Sequence, residues 1–139
     1  MKKVLCTLAF VSSVSLAFGA LAGSDTKVGK VGDPLPEKLA GYGLTGDVEK
    51  CFRTTSIKSS RPLDDYHLVF TMRNGDRYLN RLSNRCSGLR MEGTYAYKTG
   101  LTQLCHLQII DVIDTSVGGR RGSCGLGKFE KIEKVASSE

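Results

Sequence analysis

From Asp64 to Leu82 the chain reads DDYHLVFTMRNGDRYLNRL, with apolar residues recurring at alternate positions on both sides of Asn74-Gly75. A period of two puts successive side chains on opposite faces of a pleated strand, and Asn-Gly between two such runs signals a hairpin. The register follows from asking which pairing sorts apolar from charged. A two-residue loop at Asn74-Gly75 would set Phe70 opposite Leu79 and mix both kinds of residue on both faces. A three-residue loop, Arg73-Asn74-Gly75, with Gly75 left-handed, sets Phe70 opposite Tyr78, Leu68 opposite Asn80 and Tyr66 opposite Leu82. One face then carries Tyr66, Leu68, Phe70, Met72, Tyr78 and Leu82, and the other His67, Thr71, Arg77 and Arg81. Because a one-residue slip exchanges the faces, the second register is the expected one. Val69 and Leu79 still meet on the polar face, as they would beneath a covering segment.

Similar short runs follow one another through the rest of the chain, separated by Gly, Asn, Asp and Ser. The expected strands are 50–58, 65–73, 77–82, 93–98, 103–113 and 126–134. Gaps this short leave little room for crossover helices. The pattern therefore predicts an all-β domain, a small antiparallel sandwich or partly closed barrel of five to six strands. Within LQIIDVID, Leu107, Ile109 and Ile113 alternate with Ile110 and Val112. Apolar residues of both parities suit a strand covered on both faces, so this run is the expected centre of the core. Residues 23–47 are rich in Gly, carry Pro34 and Pro36, and lack periodicity. They are expected to form a flexible lead-in with a short helical turn around Pro36 to Ala40. A single β domain is expected over 48–135, with 136–139 as a disordered tail.

The first residues change the picture of where this domain works. Lys2 and Lys3, the apolar stretch Val4 to Phe18, and Ala20-Leu21-Ala22 have the form of a secretory signal peptide, with cleavage expected after Ala22. Ser12, Ser13 and Ser15 interrupt the stretch, and a spanning helix needs roughly 20 predominantly apolar residues, so cleavage rather than an N-terminal anchor is expected; no second run long enough to span follows, so no transmembrane segment is expected after cleavage. Cys6 lies too early for a lipid-attachment cysteine and would leave with the leader. The formal charge of +6 falls by two when Lys2 and Lys3 depart. An excess this small does not call for a nucleic-acid partner.

Export also decides how the cysteines are read. Cys51, Cys86, Cys105 and Cys124 are spaced by 35, 19 and 19 residues, without the close pairs of a structural zinc site. An even number in an oxidising compartment implies two disulfides. Cys86 ends the hairpin and Cys105 opens the next long run, which predicts Cys86–Cys105 and leaves Cys51–Cys124. The pairings Cys51–Cys86 with Cys105–Cys124, and Cys51–Cys105 with Cys86–Cys124, stay open.

No catalytic constellation emerges. Leu104-Cys105-His106 lacks the first cysteine of a haem attachment motif, with Thr102 in its place. Arg121 breaks the G-x-S-x-G pattern around Ser123. His67 falls on the polar face of the hairpin, and disulfide formation removes the thiol that a Cys–His pair would need. Asp64-Asp65 reads as a turn before a strand, and Asp111 and Asp114 have opposite parity. No metal ligand set or cofactor site is expected. The other candidate is cationic. Arg77, Arg81, Arg85, Arg90, Arg120 and Arg121 would bind an anionic envelope component if they converged on one concave surface, and within Gly118-Gly119-Arg120-Arg121-Gly122 the backbone amides and two guanidiniums suit a phosphate or sulfate. In isolation Gly118 to Gly122 reads as a solvated loop.

Together, Asp64-Asp65, Tyr78-Leu79-Asn80-Arg81-Leu82, Cys86-Ser87-Gly88-Leu89, Leu104-Cys105, Asp111-Val112-Ile113 and Cys124-Gly125-Leu126-Gly127-Lys128-Phe129 resemble a family of small exported Gram-negative bacterial proteins. Their shared region is a domain of unknown function, and the likeness spans about residues 48 to 133. It implies a periplasmic or secreted location and brings no activity, substrate or site residue. Some members look like lipoproteins, whereas here no cysteine follows the expected cleavage site. The expected role is a non-catalytic binding or structural module of the cell envelope, its partner an envelope protein, lipid or glycan. The alternatives are binding of an anionic envelope ligand through the arginines, and an enzyme with an unrecognised site.

Overall fold

The hairpin closes as its apolar pattern requires. In the computed structural model, which describes residues 29–98 and 102–136, Phe70 pairs with Tyr78 and Leu68 with Asn80. Tyr66 accepts the Leu82 amide at 2.8 Å. Arg73-Asn74-Gly75 forms the loop, closed by Met72 N–H to Asp76 O at 2.8 Å, and Gly75 takes φ +95°. The leader, its cleavage point and the last three residues of the expected tail lie outside the described residues.

Besides 3-10 turns at Glu37–Leu39 and Thr54–Ser56, the described chain forms ten strands and one α-helical turn: β1 (Tyr42–Glu49), β2 (Cys51–Arg53), β3 (Ile57–Pro62), β4 (His67–Met72), β5 (Arg77–Arg81), α1 (Leu89–Glu92), β6 (Tyr95–Tyr97), β7 (Gln103–Cys105), β8 (Ile109–Ile113), β9 (Arg120–Gly125) and β10 (Phe129–Lys134). All pairings are antiparallel. A five-stranded sheet runs β1-β10-β5-β4-β3, and across the core lie a three-stranded sheet, β6-β8-β9, and a two-stranded one, β2-β7. The fold is the all-β, disulfide-stapled sandwich the alternation predicts. It has more strands than the expected five or six. A turn splits 50–58 into β2 and β3, another splits 103–113 into β7 and β8, and β1 and β9 arise from glycine-rich segments.

The main core fills the sandwich. Leu68, Phe70 and Met72 of β4, Tyr78 of β5 and Phe129 of β10 face Leu104 of β7, Ile110 and Val112 of β8, and Leu126. Phe52 of β2 reaches across, its ring centroid 4.6 Å from those of both Tyr78 and Phe129. Burying an aromatic or aliphatic side chain of this size contributes roughly 1.5–3 kcal/mol, so each apolar rung of the hairpin adds substantially to stability.

The opposite face of the large sheet has its own cluster: Val69 and Leu79, the pair left on the polar side, with Ile132, Leu63 and Leu39, and Leu35, Tyr42 and Leu44 packed against them. The covering segment is the expected lead-in. Its helical turn forms at Glu37–Leu39, close to the expected position, but the segment is not a loose tether. Gly32 donates to Glu130 Oε1 at 2.6 Å, and β1 pairs along β10. Glycine and proline hid this strand because its pairing partner lies some 85 residues later in the chain.

A second local conflict is settled by Asn80, buried on the core face of β5. Its amide donates to the Gly127 carbonyl at 2.7 Å and its oxygen accepts the Gly127 N–H at 3.0 Å. A buried amide is tolerated when both its ends are paired. The turn comes so close that a Cβ on Gly127 would collide with the Arg81 carbonyl oxygen. Gly127→Ala is therefore expected to cost about 3 kcal/mol, the upper end for overpacking. The urea midpoint reads this directly, and a loss under about 1 kcal/mol would show that the β5 backbone yields.

Candidate functional site

The structure disperses the six arginines. Arg77 and Arg81 lie on the covered face of β5. Arg77 donates to the Tyr42 hydroxyl and stacks 5.5 Å from its ring centroid. Arg81 is buried, with Nε 2.7 Å from Glu130 Oε2, and it donates to the Asp33 and Pro34 carbonyls. Arg85 pairs with Asp65 at 3.1 Å on the rim. Arg90 gives its backbone N–H to the same carboxylate. Arg120 stands 3.7 Å from Asp111, and Arg121 pairs with Glu92 and lies 3.7 Å from Asp114. Five of these side chains meet a carboxylate or an aromatic ring, and no concave surface gathers the set. The segment Gly118 to Gly122 is also not the isolated loop it resembles: Arg120 to Gly122 opens β9.

The disulfides are Cys51–Cys105 and Cys86–Cys124, so all four cysteines are bridged, but not as Cys86–Cys105 and Cys51–Cys124. The expectation placed Cys105 at the head of one long central strand. Cys105 instead ends β7, which pairs with β2 so that Cys51 and Cys105 share a rung. Cys124 comes from β9, whose position beside β8 brings it over the exit loop of β5.

His67 Nδ1 lies 2.9 Å from Asp64 Oδ1, and that same oxygen accepts the Tyr66 amide at 2.7 Å. Asp64 thus forms the expected turn before β4. Burial pushes the Asp64 pKa upward, but the His67 and Tyr66 hydrogen bonds outweigh it and hold the carboxyl below its usual range. No described group of three or more His, Cys, Asp or Glu residues is arranged to hold a metal ion.

Glu92, at the end of α1, ties three segments together. Its carboxylate accepts from the Thr115 amide at 3.0 Å, from the Thr115 hydroxyl at 2.9 Å and from Arg121. The Thr115 amide and then its hydroxyl hold Glu92 below the usual carboxylate range. Asp114 is likewise lowered, chiefly by the Ser116 and Val117 amides. A carboxyl depressed on folding contributes stability above its unfolded pKa and loses it as pH falls through the folded value. The stability gap between wild type and Glu92→Gln should therefore be constant near neutrality and should shrink below about pH 4.5, near the usual Glu value. Urea titrations at pH 7 and pH 3 check this; an equal gap at both would refute the carboxylate clamp.

A concave surface with mixed chemistry lies on the outer face of β6-β8-β9. Inward parity on β8 sends Ile110 and Val112 into the core, and outward parity sends Ile109 and Asp111 away from it. The outward rung is Ala96–Asp111–Ser123, with the Ser123 hydroxyl donating to Asp111. Ile109 pairs with Gly125, which offers no side chain to cover it, and is 57% exposed. The cleft, of about 580 Å³, is lined by Tyr97, Lys98, Gln108, Ile109, Asp111, Arg120 and Ser123. That size falls in the range of roughly 300–1,000 Å³ common for small-molecule sites. The expectation that β8 is covered on both faces holds only for its inward residues.

Next in sequence to the cleft-lining Gln108, Leu107 is 73% exposed and takes φ +69°. For an L-residue this conformation costs roughly 1–2 kcal/mol. Its surroundings impose it: Leu107 N–H donates to Leu126 O at 2.7 Å, and Leu126 N–H to Gln108 O at 2.9 Å. The sequence showed Leu107 and Ile109 as a second apolar parity, which is the signal of this surface, but not that it is open.

Among the described residues no helix is long and apolar enough to cross a membrane. The two disulfides are compatible with an extracytoplasmic protein. No family model, no curated protein and no solved structure matches the chain.

Proposed function

We propose that the protein is an exported, non-catalytic binding module of the cell envelope whose contact surface is the outer face of β6-β8-β9. The observation that carries this reading is Leu107, an exposed leucine held left-handed beside exposed Ile109 and the cleft. Strain of this kind persists where the surrounding structure imposes it, and it concentrates at ligand contacts. Glycine would adopt the turn without penalty; leucine adds only an apolar side chain presented to solvent. Tyr97 and Ile109 supply an apolar wall, and Lys98, Arg120, Gln108 and Asp111 supply polar groups to orient a ligand. Export is supported by the Lys2-Lys3 and Ala20-Leu21-Ala22 pattern, by the resemblance to small exported proteins, and by the two disulfides. Of the six arginines only Arg120 fronts this cleft, so binding of an anion by the full set is not part of the proposal.

The test has two arms. Protein recovered from the periplasm should have an intact mass that starts near Gly23; full-length chain confined to the cytosol overturns export. A photoreactive residue at Ile109 should form discrete envelope adducts that excess unlabelled protein competes away. Leu107→Gly should weaken those adducts while leaving the melting temperature equal or higher. The same adducts formed equally from Lys58, exposed on β3, overturn the assignment of the face.

A further inference from the structure

The two disulfides differ in access. Cys86 and Cys124 are 1% and 2% exposed, inside the main core cluster. Cys51 is exposed and Cys105 half-buried, opposite one another on the outer side of a two-stranded sheet of three rungs. Exchange requires a thiolate to reach one of the bridged sulfurs, so access selects which bridge reacts. We infer that Cys51–Cys105 is a thiol-exchange site, opened and reclosed by a dithiol oxidoreductase of the Cys-x-x-Cys type, while Cys86–Cys124 remains closed.

The step balances. A partner thiolate attacks the sulfur of Cys51, the more exposed cysteine; the Cys51–Cys105 bond breaks, and Cys105 leaves as a thiolate that takes a proton from water. The second partner thiol loses its proton and attacks the mixed disulfide, releasing Cys51, which is protonated in turn. The protein gains two thiols and is reduced; the partner dithiol becomes a disulfide and is oxidised, and reclosure is the reverse exchange, in which the partner enters as its disulfide and leaves as the dithiol.

The location gives the exchange a consequence. Gln108 Oε1 accepts the Cys105 amide at 2.7 Å, and Gln108 also lines the cleft. Without the bridge, β2 and β7 are held by three rungs, by flanking bonds from Thr54 to Thr102 at 3.0 Å and from His106 to Lys50 at 2.8 Å, and by Phe52 in the core. Opening therefore leaves the sandwich assembled and loosens the β7–β8 turn that carries Leu107. The exchange site does not depend on what the cleft binds.

The test uses the intact oxidised protein under graded dithiothreitol, with alkylation and peptide mapping. Cys51 and Cys105 should be labelled at least about tenfold faster than Cys86 and Cys124. A thioredoxin-type dithiol enzyme lacking its resolving cysteine should be trapped on Cys51 or Cys105. Hydrogen exchange over 103–108 should rise on selective reduction while 67–72 stays protected. Concerted opening of both bridges, earlier opening of Cys86–Cys124, trapping on Cys86 or Cys124, or no opening before global unfolding overturns the site. Unchanged exchange over 103–108 overturns its link to the turn.

Discussion

Glu130→Ala should remove about 3–5 kcal/mol of stability, the usual cost of stripping one partner from a buried ion pair. The side chains of Arg81 and Glu130 are 5% and 3% exposed. Both ends of the pair also serve the N-terminal segment: Glu130 accepts the Gly32 amide at 2.6 Å, and Arg81 donates to the Pro34 carbonyl at 3.2 Å and the Asp33 carbonyl at 2.5 Å. Truncation leaves a guanidinium buried without its counterion and frees the segment that covers Val69, Leu79 and Ile132. Against the roughly 5–15 kcal/mol typical of a domain, this is a large fraction. The double replacement Arg81→Met with Glu130→Leu should cost less than Glu130→Ala alone, since it strands no charge, although the Asp33 and Pro34 carbonyls still lose their donor. Urea unfolding of the wild type and the two variants measures the difference, and cleavage at Lys30 or Lys38 under limited trypsin reports release of the segment. A loss below about 1 kcal/mol in Glu130→Ala would mean that Arg81 finds water without disturbing the sheet.

Cys86→Ala is the second large effect. The Cys86–Cys124 bridge has a sequence separation of 38, for which chain entropy alone gives about 4 kcal/mol. Alanine keeps a hydroxyl out of the apolar cluster that surrounds it. Adding Cys124→Ala should cost little more, because the bridge is already gone. Adding Cys105→Ala instead should cost a further increment, because it opens Cys51–Cys105. Thermal or urea unfolding under oxidising conditions orders the three proteins. The reverse order, with Cys105→Ala neutral in the Cys86→Ala background, would mean that Cys86 pairs with Cys105; non-reducing peptide mapping reads the same point chemically.

The hairpin was legible because its information is local. Two alternating runs meet at Asn74-Gly75, and only one register separates Phe70 and Tyr78 from Arg77 and Arg81. The covering of Val69 and Leu79 was legible for the same reason, as an apolar pair on an otherwise polar face. What covers them was not. β1 and β9 are rich in glycine and polar residues, and they become strands because β10 and β8 offer them edges to pair with. The arginines were legible as charges, but their partners Asp65, Glu92, Asp111 and Glu130 come from other parts of the chain. Arg81, Arg85, Arg120 and Arg121, which look free in sequence, each stand beside a carboxylate in space.

The amino-acid order by itself determined the strand-forming runs, the faces of the central hairpin, the all-β class and the joining of four cysteines in two bridges, since each rests on periodicity, turn chemistry or residue count. The tertiary structure decided which cysteines meet, which charges are buried, and which side of β8 stays open. Those outcomes depend on how strands distant in sequence are brought side by side. The turn at His106–Gln108 shows the difference most directly: it ends β7, sets Cys105 opposite Cys51, and leaves Leu107 and Ile109 facing solvent, because the backbone of Leu107 and Gln108 is bonded to Leu126, just past the end of β9, and Ile109 pairs with Gly125.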